Sequence, residues 1–150
     1  MVCLGNICRS PLAEGILSSL DTSNQFFVDS AGTSAYHVGE LPDSRSIEIA
    51  HLNEIDLTNQ RSRKFRVQDF DSFDVIYAMD VSNYNDLRQI ARNEEEKQKI
   101  KLILNELHSN ENLSVPDPYY GGEQGFENVF SMLNKACKII LTKYIENNEG

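Results

Sequence analysis

Cys3-Leu4-Gly5-Asn6-Ile7-Cys8-Arg9-Ser10-Pro11 is the stretch whose reading decides the fold. A cysteine, five residues and an arginine can close a bend around one tetrahedral anion. Gly5 and Asn6 tolerate positive φ, so the backbone can curl and turn its N–H groups inward. Ser10 is a good N-cap and Pro11 suits the first helical position. Apolar residues then recur at helical spacing: Leu12, Ala13, Ile16, Leu17 and Leu20. The bend therefore opens a helix N-terminus, where orphan N–H groups and the helix dipole favour an anion.

That arrangement gives each residue a task. A field that favours anions favours the thiolate of a facing cysteine, so Cys3 is the expected nucleophile. Arg9 offers a planar fork that matches two phosphate oxygens. The expected chemistry is attack on phosphorus through a phosphocysteine. The plainer alternative is a glycine turn before an ordinary helix, with structural cysteines.

A second constellation is Val115-Pro116-Asp117-Pro118-Tyr119-Tyr120. Each proline fixes its own φ and biases the residue before it toward extended backbone. The result is a stiff loop that presents one carboxyl group. A leaving phenolate needs a proton, and Asp117 is the expected general acid, then the base for water. Tyr119 and Tyr120 could wall a pocket and stack on an aromatic substrate. The alternative is a surface turn before the last helix.

Between these loops the chain alternates strand and helix signals. Phe26-Phe27-Val28 reads as a short strand. A polar loop follows through Gly39. Pro42 and Asp43 open a second helix that buries Ile47, Ala50 and Leu52 and ends on a left-handed Asn53. Phe73 to Met79 reads as a buried parallel strand. Tyr84, Leu87, Ile90 and Ala91 mark a helix capped by Asp80 or Ser82, and Glu94-Glu95-Glu96 a solvated turn. Ile100 to Leu104 is the last strand. A long helical stripe runs through Phe126, Val129, Phe130, Leu133, Ala136, Ile140, Leu141 and Tyr144, and Cys137 falls in its apolar part. The pattern implies an α/β fold, one three-layer domain over 1–150, with a parallel sheet covered by helices on both faces.

Composition sets the outer bounds. One hundred and fifty residues suffice for one core. A net charge of −9 argues against general binding to nucleic acid or an anionic membrane. Attraction of phosphate must then be local. No apolar run is long enough to span a bilayer. Three cysteines are not a secreted disulfide framework, so a cytoplasmic setting is expected. His37, His51 and His108 show no metal-ligand spacing with the cysteines. Neither metal nor cofactor is expected. Arg61, Arg63, Lys64 and Arg66 are a solvated face, or a dock for an acidic segment beside a phosphosite.

The bend, read from Val2 as VCLGNICRSP, resembles the active-site loop of the low-molecular-weight protein tyrosine phosphatases. Asp29 to Tyr36, Ala78-Met79-Asp80 with Ser82-Asn83, and Asp117 to Tyr120 resemble further family segments in the same order. The resemblance implies a four-stranded parallel sheet in order 2-1-3-4, with the site at the carboxyl ends of its strands. It implies hydrolysis of phosphotyrosine monoesters, with Leu4, Gly5, Asn6, Ile7, Cys8 and Ser10 around the phosphate. Asn6 would pin the bend, or act only as a turn residue. Ser10 would meet the thiolate, or only cap. Ser30 matches a buttressing position, or only a turn. Tyr36 would face the substrate. Cys8 is either a resolving thiol that pairs with an oxidised Cys3 or a small buried residue.

One departure stands out. Family members carry a strand before the nucleophile, and only Met1 and Val2 precede Cys3, against about 5–6 residues in a typical strand. The first strand is apparently truncated: either upstream residues are missing or the sheet has lost its middle. The expected partners are a phosphotyrosine protein and an inorganic phosphate or similar oxyanion, for a monomer or weak dimer. Relatives with the same loop set the alternatives. Protein-arginine phosphatases tend to carry threonine where this chain has Leu4 and Ile7. Thiol-dependent arsenate reductases need two further downstream cysteines, and only Cys137 is present. A silent phosphate-binding module would have no use for Asp117.

Overall fold

The computed structural model describes residues 1–149, with side chains up to Ile145. Its strands are β1 (Val2–Cys3), β2 (Ala31–Gly32), β3 (Ile76–Ala78) and β4 (Ile100–Leu102). They form one parallel sheet in the order β2-β1-β3-β4. The helices are α1 (Arg9–Leu20), α2 (Ser44–Leu52), α3 (Asp69–Ser72), α4 (Val81–Ile90), α5 (Glu94–Lys99) and α6 (Gly122–Glu149). Short 3-10 turns span Ile103–Glu106 and Pro118–Tyr120.

The strand order is the one the resemblance implied, and the sheet has kept its middle. Two residues suffice for β1 because its ladder continues past both ends. Ala31 N donates to Met1 O at 3.0 Å, Met79 N to Val2 O at 2.9 Å and Thr33 N to Cys3 O at 2.9 Å. Side chains on a strand alternate between faces, so Val2 joins Ala31, Phe70, Ala78 and Leu87 on one side. Cys3 and Tyr77 join Leu12, Ile16, Leu133 and Ile140 on the other. Helices therefore cover both faces. Polar backbone is satisfied within the sheet, and the carboxyl ends of β1 and β3 open onto the loops at one edge.

Several local expectations are corrected. Phe26-Phe27-Val28 is not a strand. The N–H groups of Gln25 and Phe26 donate to the Asp21 carboxylate instead of a ladder, and exposed Phe27 stacks on Phe73 with centroids 5.8 Å apart. The paired strand comes later, at Ala31–Gly32, inside the segment expected to be loop. The strand expected over 73–79 is regular only at 76–78, and the one over 100–104 turns 3-10 after Leu102. Leu52 is exposed at the end of α2, where its turn no longer faces the core. The left-handed residue there is Glu54 (φ 64°), while Asn53 stays at φ −106°. Glu94 to Glu96 begin a helix rather than a solvated turn: Asn93 caps it, and buried Glu96 receives the Arg92 guanidinium. Arg63 is no solvated cation either, since it binds Asp29 and Asp69.

Candidate active site

The helix that follows the bend starts two residues earlier than its sequence implies. Arg9 is its first residue, Cys8 holds the capping position, and Ser10 and Pro11 lie within the first turn. Ser10 is thus not the cap. Its side chain is fully buried and turned back toward the bend. The positive φ falls on Asn6 alone, at 57°, and Gly5 does not need it.

The orientation of the bend follows from its carbonyls. Those of Cys3, Leu4 and Ile7 accept from the backbone N–H groups of Thr33, Ser34 and Asp43. Those of Gly5 and Cys8 accept from the hydroxyls of Ser62 and Ser46. Every one of these donors lies outside the bend. In a trans peptide the N–H points opposite to the preceding carbonyl, so the N–H groups of Leu4, Gly5, Asn6, Cys8 and Arg9 turn inward. That of Asn6 reaches Cys3 Sγ at 3.2 Å. Gly32 makes the outer packing possible: a Cβ there would sit 2.8 Å from Leu4 O.

A side-chain network fixes the polarity around the sulfur. Asn6 Oδ1 accepts from Arg63 N at 3.1 Å, which leaves both amide hydrogens of Nδ2 to donate to Ser10 Oγ (2.8 Å) and Ser30 Oγ (2.9 Å). Ser30 in turn donates to Glu14 Oε1 at 2.7 Å. With the Asn6 hydrogen accepted, the Ser10 hydroxyl is free to donate to Cys3 Sγ, 3.0 Å away. Two donors thus converge on one sulfur. Burial raises the Glu14 carboxyl above its ordinary range, against the Ser30 hydrogen bond.

Arg9 is 4% exposed and its guanidinium is anchored. Nη1 spends both hydrogens, on Asp80 Oδ2 at 2.7 Å and Val115 O at 3.0 Å. Nη2 lies 4.0 Å from Asp117 Oδ2, too far for a hydrogen bond. The remaining Nε and Nη2 edge is the one that matches two oxygens of a phosphate. Asp80 serves twice, since its Oδ1 also caps α4 by accepting from Asn83 N at 2.7 Å.

These groups meet at a cleft of about 200 Å³ lined by Cys3, Leu4, Gly5, Ile7, Cys8, Arg9, Ser34, Tyr36, His37, Asp117, Tyr119 and Tyr120. Asn6 and Ser10 are not on its wall; they lie behind it and act on Cys3. Tyr36, 86% exposed, lines the same cleft as Tyr119 and Tyr120, whose rings meet edge to face. Burial, helped by Asp43, pushes the Cys8 thiol up to about 12. Cys137 is also pushed up to about 12 by burial, in the core between α1 and α6. All three cysteines are free thiols. Among the described residues no group of side chains could hold a metal ion, and no helix is long and apolar enough to cross a membrane.

Some of these residues escape sequence reasoning. Asp80 registers there as a helix cap and as part of a segment that resembles the family, with no role at the site, although an acid at the carboxyl end of a buried strand is where open α/β sheets keep functional groups. Ser34 falls inside the family-like segment Asp29 to Tyr36, which assigns it no role, and His37 and Glu14 carry no pattern; tertiary packing brings them in. His37 lies beside Gly5 and pairs with Glu40 at 2.6 Å.

Comparison with known proteins fits this geometry. The family model for low molecular weight phosphotyrosine protein phosphatases matches residues 1–149. A putative low molecular weight protein-tyrosine-phosphatase of Synechocystis is 42% identical over 94% of this chain and 92% of its own. The crystal structure of a protein tyrosine phosphatase from Entamoeba histolytica with Hepes in the active site is 38% identical. It superposes with a TM-score of 0.88 over 98% of this chain and 96% of that one. An arginine phosphatase from Drosophila is 34% identical with a TM-score of 0.87, over 95% and 94% of the two chains. The chain belongs to the low molecular weight phosphotyrosine protein phosphatase family.

Proposed function

We propose that this protein hydrolyses phosphotyrosine monoesters in proteins by way of a phosphocysteine on Cys3. The observation that carries the reading is the convergence of Asn6 N–H and Ser10 Oγ on Cys3 Sγ, in the cleft that also holds Arg9 and Asp117. Inward N–H groups and the free edge of Arg9 receive the three non-bridging oxygens and hold phosphorus over the sulfur. The thiolate attacks phosphorus and the P–O bond to the phenol breaks. Asp117 gives its proton to the departing oxygen, which leaves as neutral tyrosine. In the second half a water attacks the phosphocysteine and passes a proton to the Asp117 carboxylate. The S–P bond breaks, phosphate leaves and the Cys3 thiolate returns, held by the same two donors.

The preference for an aromatic ester rests on Leu4 and Ile7, the apolar members of the bend, and on Tyr36, Tyr119 and Tyr120 at the rim. Such a wall suits a planar ring. A guanidinium-linked phosphate would find no carboxylate in the cleft other than Asp117. Parallel assays on phosphotyrosine and phosphoarginine peptides decide between the two. Faster turnover of phosphoarginine would replace this reading with that of the Drosophila neighbour.

A further inference from the structure

The segment that carries Asp117 is held at two points. At its start Val115 N donates to Met79 O at 2.8 Å, and Val115 O accepts from Arg9. Beyond Asp117, Tyr119 O accepts from Arg45 Nη1 at 2.9 Å, while Tyr119 N donates to Asp117 Oδ1 at 3.0 Å. Asp117 therefore lies midway between two arginine contacts. The second arginine has no part in the chemistry proposed above.

Arg45 stands in the first turn of α2 and is itself fixed. Its Nε and Nη2 reach Asp43 Oδ1 and Oδ2, both at 3.0 Å. The guanidinium lies over two rings, 5.1 Å from the centroid of Tyr119 and 4.6 Å from that of Phe126 in α6. Asp43 caps α2, and its N–H donates to Ile7 O at 2.7 Å. The Arg45 hydrogen bond holds the Asp43 carboxyl below its ordinary range, so the pair stays ionised. An unbroken run of short contacts, Ile7 to Asp43 to Arg45 to Tyr119, thus joins the nucleophile bend to the acid segment. The N-terminus of α2 ties the two together beyond Asp117, as the Arg9 contact to Val115 does before it.

We infer that Arg45 is a positioning residue for the proton donor: through Tyr119 it fixes the height of Asp117 over Cys3. The inference rests on the reading of Asp117 as general acid. A merely structural Arg45 would staple α2 to α6 and leave catalysis alone. The two differ in their dependence on the leaving group. p-Nitrophenolate departs well without a proton, whereas unsubstituted phenolate needs one. Misplacement of Asp117 must therefore cost more on phenyl phosphate, while loss of folded protein lowers both substrates by one factor.

The test compares kcat/KM for the two esters in wild type, Arg45→Met, Arg45→Lys and Asp117→Asn, with a thermal melt of each. Asp117→Asn should lose on the order of 10²-fold more on phenyl phosphate than on p-nitrophenyl phosphate. Arg45→Met should show the same bias at about tenfold, since displacements near 1 Å can cost up to about 10². Arg45→Lys should fall between, because an ammonium can reach Tyr119 O but cannot grip Asp43 with a fork or stack flat. Equal factors on both esters for Arg45→Met, beside a biased Asp117→Asn, would overturn the role of Arg45 and leave the acid intact. An unbiased Asp117→Asn would remove the acid and this inference together. If Arg45→Met does not melt cooperatively, Arg45→Lys decides, and an unbiased loss there overturns the inference.

Discussion

The two loops that meet at the cleft are held in opposite ways. In the bend from Cys3 to Arg9 the side chains of Cys3, Asn6, Cys8 and Arg9 are buried, the carbonyls are locked outward and the sulfur is flanked by donors. The acid segment is open: Asp117 is 43% exposed, Tyr120 protrudes, and the grip is at the ends. The difference teaches where fixed geometry matters. Charge on a transferring phosphoryl group is stabilised only by dipoles already in place. A proton donor in the role proposed for Asp117 has to let an aromatic side chain in and its product out, which a segment with fewer holds allows.

Breaking the buried half has the largest expected effect. Cys3→Ser should lower kcat on p-nitrophenyl phosphate by on the order of 10⁵-fold or more, as loss of a nucleophile does elsewhere. Activity within tenfold of wild type would move the chemistry off this sulfur. Next comes Arg9→Lys, which keeps the charge and loses the fork. A kcat drop of roughly 10²–10³ is expected by analogy with the loss of one oxyanion donor, and a drop under fivefold would show that the fork is unused.

Asn6→Ala sharpens the comparison, because it removes a side chain that does not line the cleft and keeps the backbone N–H. It strips Ser10 and Ser30 of a donor and places alanine at φ 57°, for a stability loss of about 1–3 kcal/mol. A chain of this size should then melt lower by roughly 2–4 °C per kcal/mol. The thiolate loses its oriented hydroxyl, so kcat should fall while KM holds; an unchanged kcat would mean that the network serves stability alone.

Thiol chemistry separates the cysteines within one loop. A short pulse of iodoacetate at pH 6 should label Cys3, which faces two donors, and spare Cys8 and Cys137, both pushed up to about 12. Peptide mass spectra with equal labelling at Cys8 would contradict this, and would favour the reading of Cys8 as a resolving thiol.

The smallest effect concerns Asp43, at the junction of the two regions. Its folded-state value is depressed by Arg45 below the unfolded value of about 3.9. Its stabilising contribution is therefore complete above that value and is lost as pH falls through the depressed one. Asp43→Asn should melt lower than wild type at pH 7, and the gap should close toward pH 3. A gap independent of pH would assign the effect to the cap rather than to the charge.

Much of this fold is legible in the chain before any coordinates. Buried helix faces and strand cores come from short-range periodicity, and Tyr77, Leu87 and Leu133 sit where it puts them. The misses have a common origin in side chains that replace backbone partners. Asp21 takes the N–H groups that would have made Phe26 part of a ladder, and Arg92 turns an acidic run into a helix with a buried glutamate. At the cleft, Cys3, Arg9 and Asp117 stand out because their loops have distinctive chemistry. Asp80, His37 and Arg45 do not, since each matters through contacts far along the chain: Arg45 to Tyr119, Asp80 to Arg9.

The central claim is a covalent bond between phosphorus and one sulfur. Rapid acid quench of the enzyme mixed with excess p-nitrophenyl phosphate, followed by peptide mass spectrometry, tests it most directly. The peptide that holds Cys3 should carry one phosphoryl group within the first turnover and lose it as substrate runs out. Steady phosphate release with that peptide unmodified throughout, or with the phosphoryl group on His37, would contradict the account.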